Sequence, residues 1–393
     1  MNGETPSSML DVVVVGGGPG GLHAARRLAS RGADVTVLEE HDSSGTPVHC
    51  TGILARDAFD EFGLSRASIL NEVTTARFVS PQGTDVVHRT RAVEAVVIDR
   101  ARFDQELADD AARRGATLRF GTRVRGVSID ADHVSVDVGD GAPLRARACV
   151  LATGGRYALH RPLGLGLPDH YLHTAQRELP ASRPGVVEVH FGREVAPGGF
   201  AWVVPVWRGD RPYARVGVMA ETRAPEHFAR MIDRVAERWG LEGIGDQPRQ
   251  KILPLSSIAR TFRDRLLVVG DAAGLVKPTT GGGIYYSLLS AGLAADVLIP
   301  ALADGDLSAR RLADYQRQWK VRLKSELDTQ LSFRKLAQQM SDDDIEGLFE
   351  LARTDGVMPI VRKTASFNRH RRLILALLRH RPARQIFFRS FVS

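Results

Sequence analysis

Two glycine-rich turns at opposite ends of the chain constrain its fold more than any other feature: Gly16-Gly17-Gly18-Pro19-Gly20-Gly21, and Gly270-Asp271-Ala272-Ala273-Gly274 far downstream. The first follows the apolar run Val12 to Val15 and precedes a helical pattern through Leu22, Ala25 and Leu28, so it reads as strand, tight turn and helix start. In such a turn Gly16 permits the reversal, Gly18 lets the backbone approach a pyrophosphate and Gly21 lets the helix lie close on the strand. Pro19 and Gly20 belong to the same opening, whose helix N-terminus binds phosphate. A second apolar strand, Val35 to Leu38, ends at Glu39, whose carboxylate can accept both ribose hydroxyls of an adenosine half, with Glu40 beside it.

This half alone fits FAD and NAD equally. The later motif discriminates, because FAD lies extended and its ribityl and ring portions need contacts of their own. Arg265 to Gly270 reads as a strand, Asp271 at its end suits the ribityl hydroxyls, and Gly281-Gly282-Gly283 opens a helix near Ile284. Reduction places negative charge on one edge of the flavin ring, which backbone amides at a helix start stabilise. The expected cofactor is therefore FAD.

Because the two motifs must meet in space, the domains cannot be consecutive. The expected fold is α/β: a Rossmann-like FAD-binding domain (1–71, 99–155 and 262–300) interleaved with an antiparallel-sheet substrate domain (72–98 and 156–261), plus a helical C-terminal region with a basic tail (301–393). Strand patterns occur at 73–80, 85–89 and 95–98, a helix at 100–114 and a buried strand at 145–152 that includes Cys149. Three antiparallel strands are expected at 186–191, 200–206 and 213–219, with helices at 225–239, 284–303, 308–339 and 343–353.

At 393 residues and 43% hydrophobic content, the chain can bury a large core. No 18-residue apolar run predicts a membrane span, and residues 1–9 do not resemble a secretory signal. Two cysteines exclude a disulfide scaffold, a thiolate zinc site and a four-thiolate cluster. A cytoplasmic location is expected, with the inner membrane face as a second address, for the following reason. Residues 356–393 hold nine Lys or Arg and no acid, more than the whole net charge of +7, interleaved with Leu373, Ile374, Leu377, Leu378, Ile386, Phe387, Phe388 and Phe391. That pattern suits an anionic membrane surface or an apolar face turned onto the core. Without a nucleic-acid module, it implies no specific nucleic-acid partner.

Three segments resemble the geranylgeranyl reductase family of FAD-dependent oxidoreductases, a similarity spanning roughly 10–355. Pro197-Gly198-Gly199-Phe200-Ala201-Trp202-Val203-Val204-Pro205 looks like the family's PxxYxWxFP signature, with Phe200 for Tyr and Val204 for Phe. Gly270 to Gly274, continuing through Thr280-Gly281-Gly282-Gly283-Ile284-Tyr285-Tyr286, resembles its flavin-helix entry, and Pro47-Val48-His49-Cys50-Thr51-Gly52 resembles a cysteine-bearing loop. The resemblance implies that Phe200 and Trp202, with Tyr285, line a prenyl cavity. Asp99-Arg100 is similar to a stretch that contacts FAD, and an arginine in a helix's first turn suggests pairing with phosphate.

The implied reaction saturates carbon–carbon double bonds of a prenyl lipid or other apolar molecule, by hydride from reduced flavin and a proton from an acid. Cys50 and His49 are the nearest candidates for that acid, with Tyr285 third. The electron donor would be NADPH or a small redox protein. Two other readings stay open: a monooxygenase or halogenase acting on an aromatic compound, with Lys277 near the flavin turn, and a membrane-associated flavoprotein passing electrons to quinone.

Overall fold

A computed structural model describes residues 9–139, 141–354 and 356–389. Residues 1–8 and Phe391 of the sequence reading lie outside them. The core is an eight-stranded sheet. Its main path runs Phe262–Arg263, Leu266–Val268, Leu144–Leu151, Leu10–Val15, Val35–Leu38 and Thr117–Arg119, and the strands Val134–Asp137 and Gly126–Ile129 branch antiparallel from Leu144–Leu151. From Leu266–Val268 to Thr117–Arg119 the neighbours are parallel. Parallel strands need crossovers, supplied here by the helices Pro19–Ala29 and Arg100–Arg113. Val12 to Val15 can all be apolar because helices cover the sheet, leaving each at most 4% exposed. Cys149 is fully buried in its strand, and burial pushes its thiol up to about 12, as expected of an inert packing residue.

A second, seven-stranded sheet has the order Arg249–Pro254, Tyr171–Pro180, Arg211–Ala220, Phe200–Arg208, Val187–His190, Thr75–Val79, Asp85–Arg89. Sequence patterning showed only its middle antiparallel strands and the 73–89 hairpin. Tyr171–Pro180 and Arg249–Pro254 carry charged and amide groups on the face turned toward the first domain, which breaks the apolar alternation. Because side chains alternate, Ala201, Val203, Val216 and Val218 pack against the helix Ala224–Trp239, and Trp202, Val204 and Met219 point to the opposite face. A small third sheet joins Ile53–Ala55, Ala95–Ile98 and Ile69–Val73, and so ties the two larger units together.

One local expectation changes. The strand expected at 265–270 is only Leu266–Val268, and Gly270 already begins a one-turn 3₁₀ helix, Gly270–Ala273. The apolar side of the C-terminal tail is used internally: Ile374 and Phe387 are buried, and Leu377, Leu378 and Ile386 pack beside Met340 and Phe333. Arg371, Arg372, Arg379, Arg381, Arg384 and Arg389 lie on the exposed side. One helix among the described residues, Ile284–Asp304, is long and apolar enough to cross a membrane, and 72% of its most apolar window is buried inside the protein.

His23 sits in the Pro19–Ala29 helix, 2% exposed and edge-on to Phe62. Burial, with Arg26 and Arg27 adding, lowers its pKa from 6.5 to about 3. A depressed histidine leaves folding undisturbed above pH 6.5 and costs stability as pH falls from there toward 3, because only the unfolded chain takes up the proton. At pH 5 this amounts to about 2 kcal/mol. Thermal melting should drop between pH 7 and pH 5, and His23→Leu should flatten part of that drop.

Candidate functional site

Parallel strands end on a common edge, and here that edge gathers both glycine turns. Gly16 N donates to Leu38 O (2.8 Å), Ala152 N to Val15 O (2.8 Å) and Val269 N to Leu151 O (3.0 Å), so Gly16, Glu39, Thr153 and Asp271 follow four adjacent strands. The ends at Glu39 and Asp271 are three strand spacings apart, about 14 Å, a span suited to an extended dinucleotide.

The turn is built as its composition requires. Gly16 has φ +108°, and a methyl on it would meet Ala152 O at 2.4 Å. A methyl on Gly21 would lie 1.9 Å from Gly16 O, whereas one on Gly18 would meet nothing within 4 Å. Gly18 thus faces open space where a phosphate can approach the backbone, and the residues fit FAD. Glu39 accepts from Gly17 N at 2.7 Å and from His41 N at 3.1 Å, which fixes its carboxylate beneath the turn. Glu40 is drawn into ion pairs with Arg156 and Arg123.

At the other end Tyr157 donates its hydroxyl to Asp271 O (2.8 Å), and Lys251 Nζ lies 3.4 Å from Asp271 Oδ2. Gly281, at φ +72°, passes so close to the second sheet that a methyl would meet Leu253 Cδ2 at 2.5 Å and Met219 Cε at 3.3 Å. A methyl on Gly283 would meet Asp271 Oδ1 at 2.6 Å. The turn before Ile284 is therefore wedged between Asp271 and the apolar face of the sheet. On that face Phe200 and Trp202 meet edge-to-face at 5.9 Å, beside Leu172, Val204 and Met219. Trp202 lies flat over Gly217, where a methyl would come within 2.3 Å of its ring, and its buried indole N–H has no protein partner. Tyr285 is committed elsewhere: its hydroxyl donates to Glu61 at 2.8 Å and its ring packs on Phe62.

The cysteine-bearing loop comes to the same face. Thr51 Oγ1 donates to Gln176 Oε1 (2.9 Å), Gly52 N donates to Cys50 Sγ (3.3 Å), and His49 Nε2 bonds Arg249 O (2.9 Å). Burial lowers the His49 pKa below 6.5, so it is neutral near pH 7 and its one N–H is held by that carbonyl. Arg100 joins Asp104 in a largely buried bidentate pair (2.6 and 3.1 Å). Burial opposes its charge, but Asp104 and Cys50 push the guanidinium above its ordinary range. Sequence reasoning missed Gln176, Arg215, Met219 and Leu253. The signal available was strand alternation, which puts all four on one face with Trp202.

Lys277 is 3% exposed. It gives Nζ to Phe367 O (2.7 Å) and Asn368 Oδ1 (3.1 Å), and burial lowers its pKa to about 7. It therefore braces the C-terminal segment beneath the flavin turn, and its amine is not free to face a halide or an aromatic substrate.

Residues 9–327 match the FAD binding domain family. The chain is 31% identical to digeranylgeranylglycerophospholipid reductase of Methanocaldococcus jannaschii over 88% of its own length and 90% of the relative's. The chain belongs to the geranylgeranyl reductase family of FAD-dependent oxidoreductases. A solved geranylgeranyl bacteriochlorophyll reductase-like protein of Thermoplasma acidophilum superposes with a TM-score of 0.82 at 25% identity, covering 97% of this chain and 99% of that one. A flavin-dependent brominase shares the fold alone, at a TM-score of 0.71 and 15% identity, with 98% of each chain covered. This member of the family is thus an FAD enzyme, and its fold is one that reductases and halogenases both use.

Proposed function

We propose that this reductase saturates isolated double bonds in the prenyl chains of a lipid, as the name of its methanogen relative suggests. The observation that carries this reading is the apolar wall of Phe200, Trp202, Met219 and Leu253 set against the flavin turn at Gly281, with the Cys50 loop beside it. Gly16, Gly18, Pro19, Gly20, Gly21 and Glu39 would hold the adenosine diphosphate half, and Gly270, Asp271, Gly281, Gly282, Gly283 and Ile284 the flavin half. When bound and reduced, FAD supplies a hydride to one alkene carbon. An isolated alkene has no carbonyl to polarise, so the wall must align the chain and exclude water. Cys50 gives the other carbon its proton, and the Gly52 N–H that donates to its sulfur stabilises the anion left behind. His49, neutral and already donating its one N–H to Arg249 O, is the weaker candidate for the proton source.

Electrons would arrive from NADPH or a small redox protein. The exposed arginines of the tail, with the exposed Phe388 beside them, would meet anionic head groups mainly by charge, since Ile374, Leu377, Leu378, Ile386 and Phe387 are packed inward. Anaerobic addition of a prenyl lipid to the photoreduced holoenzyme should restore the oxidised flavin spectrum and add two hydrogens per double bond by mass. Reoxidation by a quinone with no reoxidation by alkene would overturn the assignment.

A further inference from the structure

Arg215, on the strand Arg211–Ala220, is 1% exposed, and its bonds single it out. Nε donates to Glu178 Oε2 at 2.7 Å, and Nη1 donates both to Thr51 O at 2.8 Å and to Ile98 O at 2.9 Å. Thr51 follows Cys50 directly. Ile98 precedes Asp99, the N-cap of the helix that carries Arg100. One guanidinium nitrogen therefore holds the thiol's loop and the start of the arginine's helix at once.

The circuit closes on the far side. Asp99 Oδ1 caps the helix by accepting from Ala101 N (3.0 Å) and Arg102 N (3.2 Å), and its Oδ2 accepts from Arg208 Nη1 (2.6 Å). Arg208 Nε reaches back to Glu178 Oε1 at 2.5 Å. Gly52, at φ +71°, leaves room for the clamp, because a methyl there would lie 2.4 Å from Arg215 Nη1. Packing alone does not account for this arrangement. Arg215 Nη2 is buried with no protein partner, a destabilising feature that an apolar side chain of similar volume would avoid.

We propose that Arg215 is a positioning residue that fixes the loop carrying Cys50 against the start of the helix carrying Arg100. The inference rests on the reading of Cys50 as the proton source. In the step it serves, the S–H bond breaks and its proton forms a C–H bond at one alkene carbon, while the other carbon takes the hydride. The sulfur keeps the electron pair, with Gly52 N–H donating to it, until solvent returns a proton. Arg215 touches none of the reacting atoms and acts by holding two backbone carbonyls.

Arg215→Lys keeps the charge but cannot reach Glu178, Thr51 and Ile98 together. In the holoenzyme, iodoacetamide labelling of Cys50 against pH, read by peptide mass, reports the sulfur's surroundings, since Cys149 is fully buried. R215K should alter that labelling profile and lower kcat about tenfold with KM within about twofold, the size expected for losing one buried charge-assisted bond. An unmoved profile with unchanged kcat would overturn the proposal. Should R215K not fold, the more exposed Arg208→Gln decides: a change in the profile supports the circuit and no change refutes it. A Cys50→Ala enzyme of normal activity, with R215K still shifting the labelling profile, would leave the positioning intact and remove Cys50 from the chemistry.

Discussion

Replacing Cys50 with alanine should lower prenyl-chain reduction about a hundredfold or more, the usual range for losing a positioned acid, while FAD stays bound. The two effects separate because the thiol belongs to neither glycine turn. It accepts from Gly52 N in a loop whose Thr51 bonds Gln176, whereas the cofactor cradle follows the strand ends at Gly16, Glu39 and Asp271. Cys50→Ser should be nearly as slow as alanine, because a hydroxyl is a far weaker acid than a thiol at similar size. The measurement is the single-turnover rate of flavin reoxidation by a prenyl lipid under anaerobic conditions, with the bound flavin quantified by its absorbance. A rate equal to that of the parent enzyme would take Cys50 out of the reaction.

The glycine turns were legible in the sequence because each obeys a local steric rule. A residue at φ +108° or 1.9 Å from a backbone oxygen must be glycine whatever lies elsewhere, so spacing alone conveys the geometry. Helices such as Ala224–Trp239 and Ala309–Ala337 were legible for a similar reason: one apolar stripe, and at Ser308 an N-cap whose hydroxyl accepts from Arg311 N. The surroundings of Cys50 were hidden because they come from long-range contacts. Gln176 lies 125 residues from the Thr51 it meets, and Arg215 lies 164 residues away. A buried arginine on a strand that also carries Val216 and Val218 looks like noise in a hydrophobic pattern until the facing loop supplies its carbonyl partners. Arg100 shows the opposite hazard. Its place in a helix's first turn suggested an anion, and the anion the structure shows beside it is Asp104, four residues on.

The tail illustrates how composition underdetermines structure. Nine cations interleaved with apolar residues fit both a membrane-seated helix and a helix lying on its own domain. The outcome turned on whether a complementary apolar surface existed, and Phe333, Leu336 and Met340 provide one. What remains outside is mainly charge, with Phe388 the exposed apolar exception among the tail residues described, so any lipid attachment through these arginines must weaken steeply with salt.

Gly18→Ala and Gly21→Ala, two changes of one methyl in the same turn, should fail in different ways. At Gly21 the new carbon would sit 1.9 Å from Gly16 O and 3.2 Å from Ala152 Cβ, so the helix must lift off the strand. Overpacking of this kind costs about 1–3 kcal/mol, and the displaced helix start no longer presents its amides, so G21A should melt earlier and purify without flavin. At Gly18 the methyl meets nothing within 4 Å in the protein, so folding and melting temperature should be unchanged. The methyl nevertheless occupies the space through which the pyrophosphate must reach the backbone, and FAD affinity should fall about a hundredfold, as expected when a close phosphate contact is blocked. Titrating FAD into each apoprotein by flavin fluorescence, with melting curves alongside, distinguishes the cases. A G18A protein that binds FAD as tightly as the parent would show that the pyrophosphate does not pass over this turn, and that the dinucleotide lies elsewhere along the strand ends.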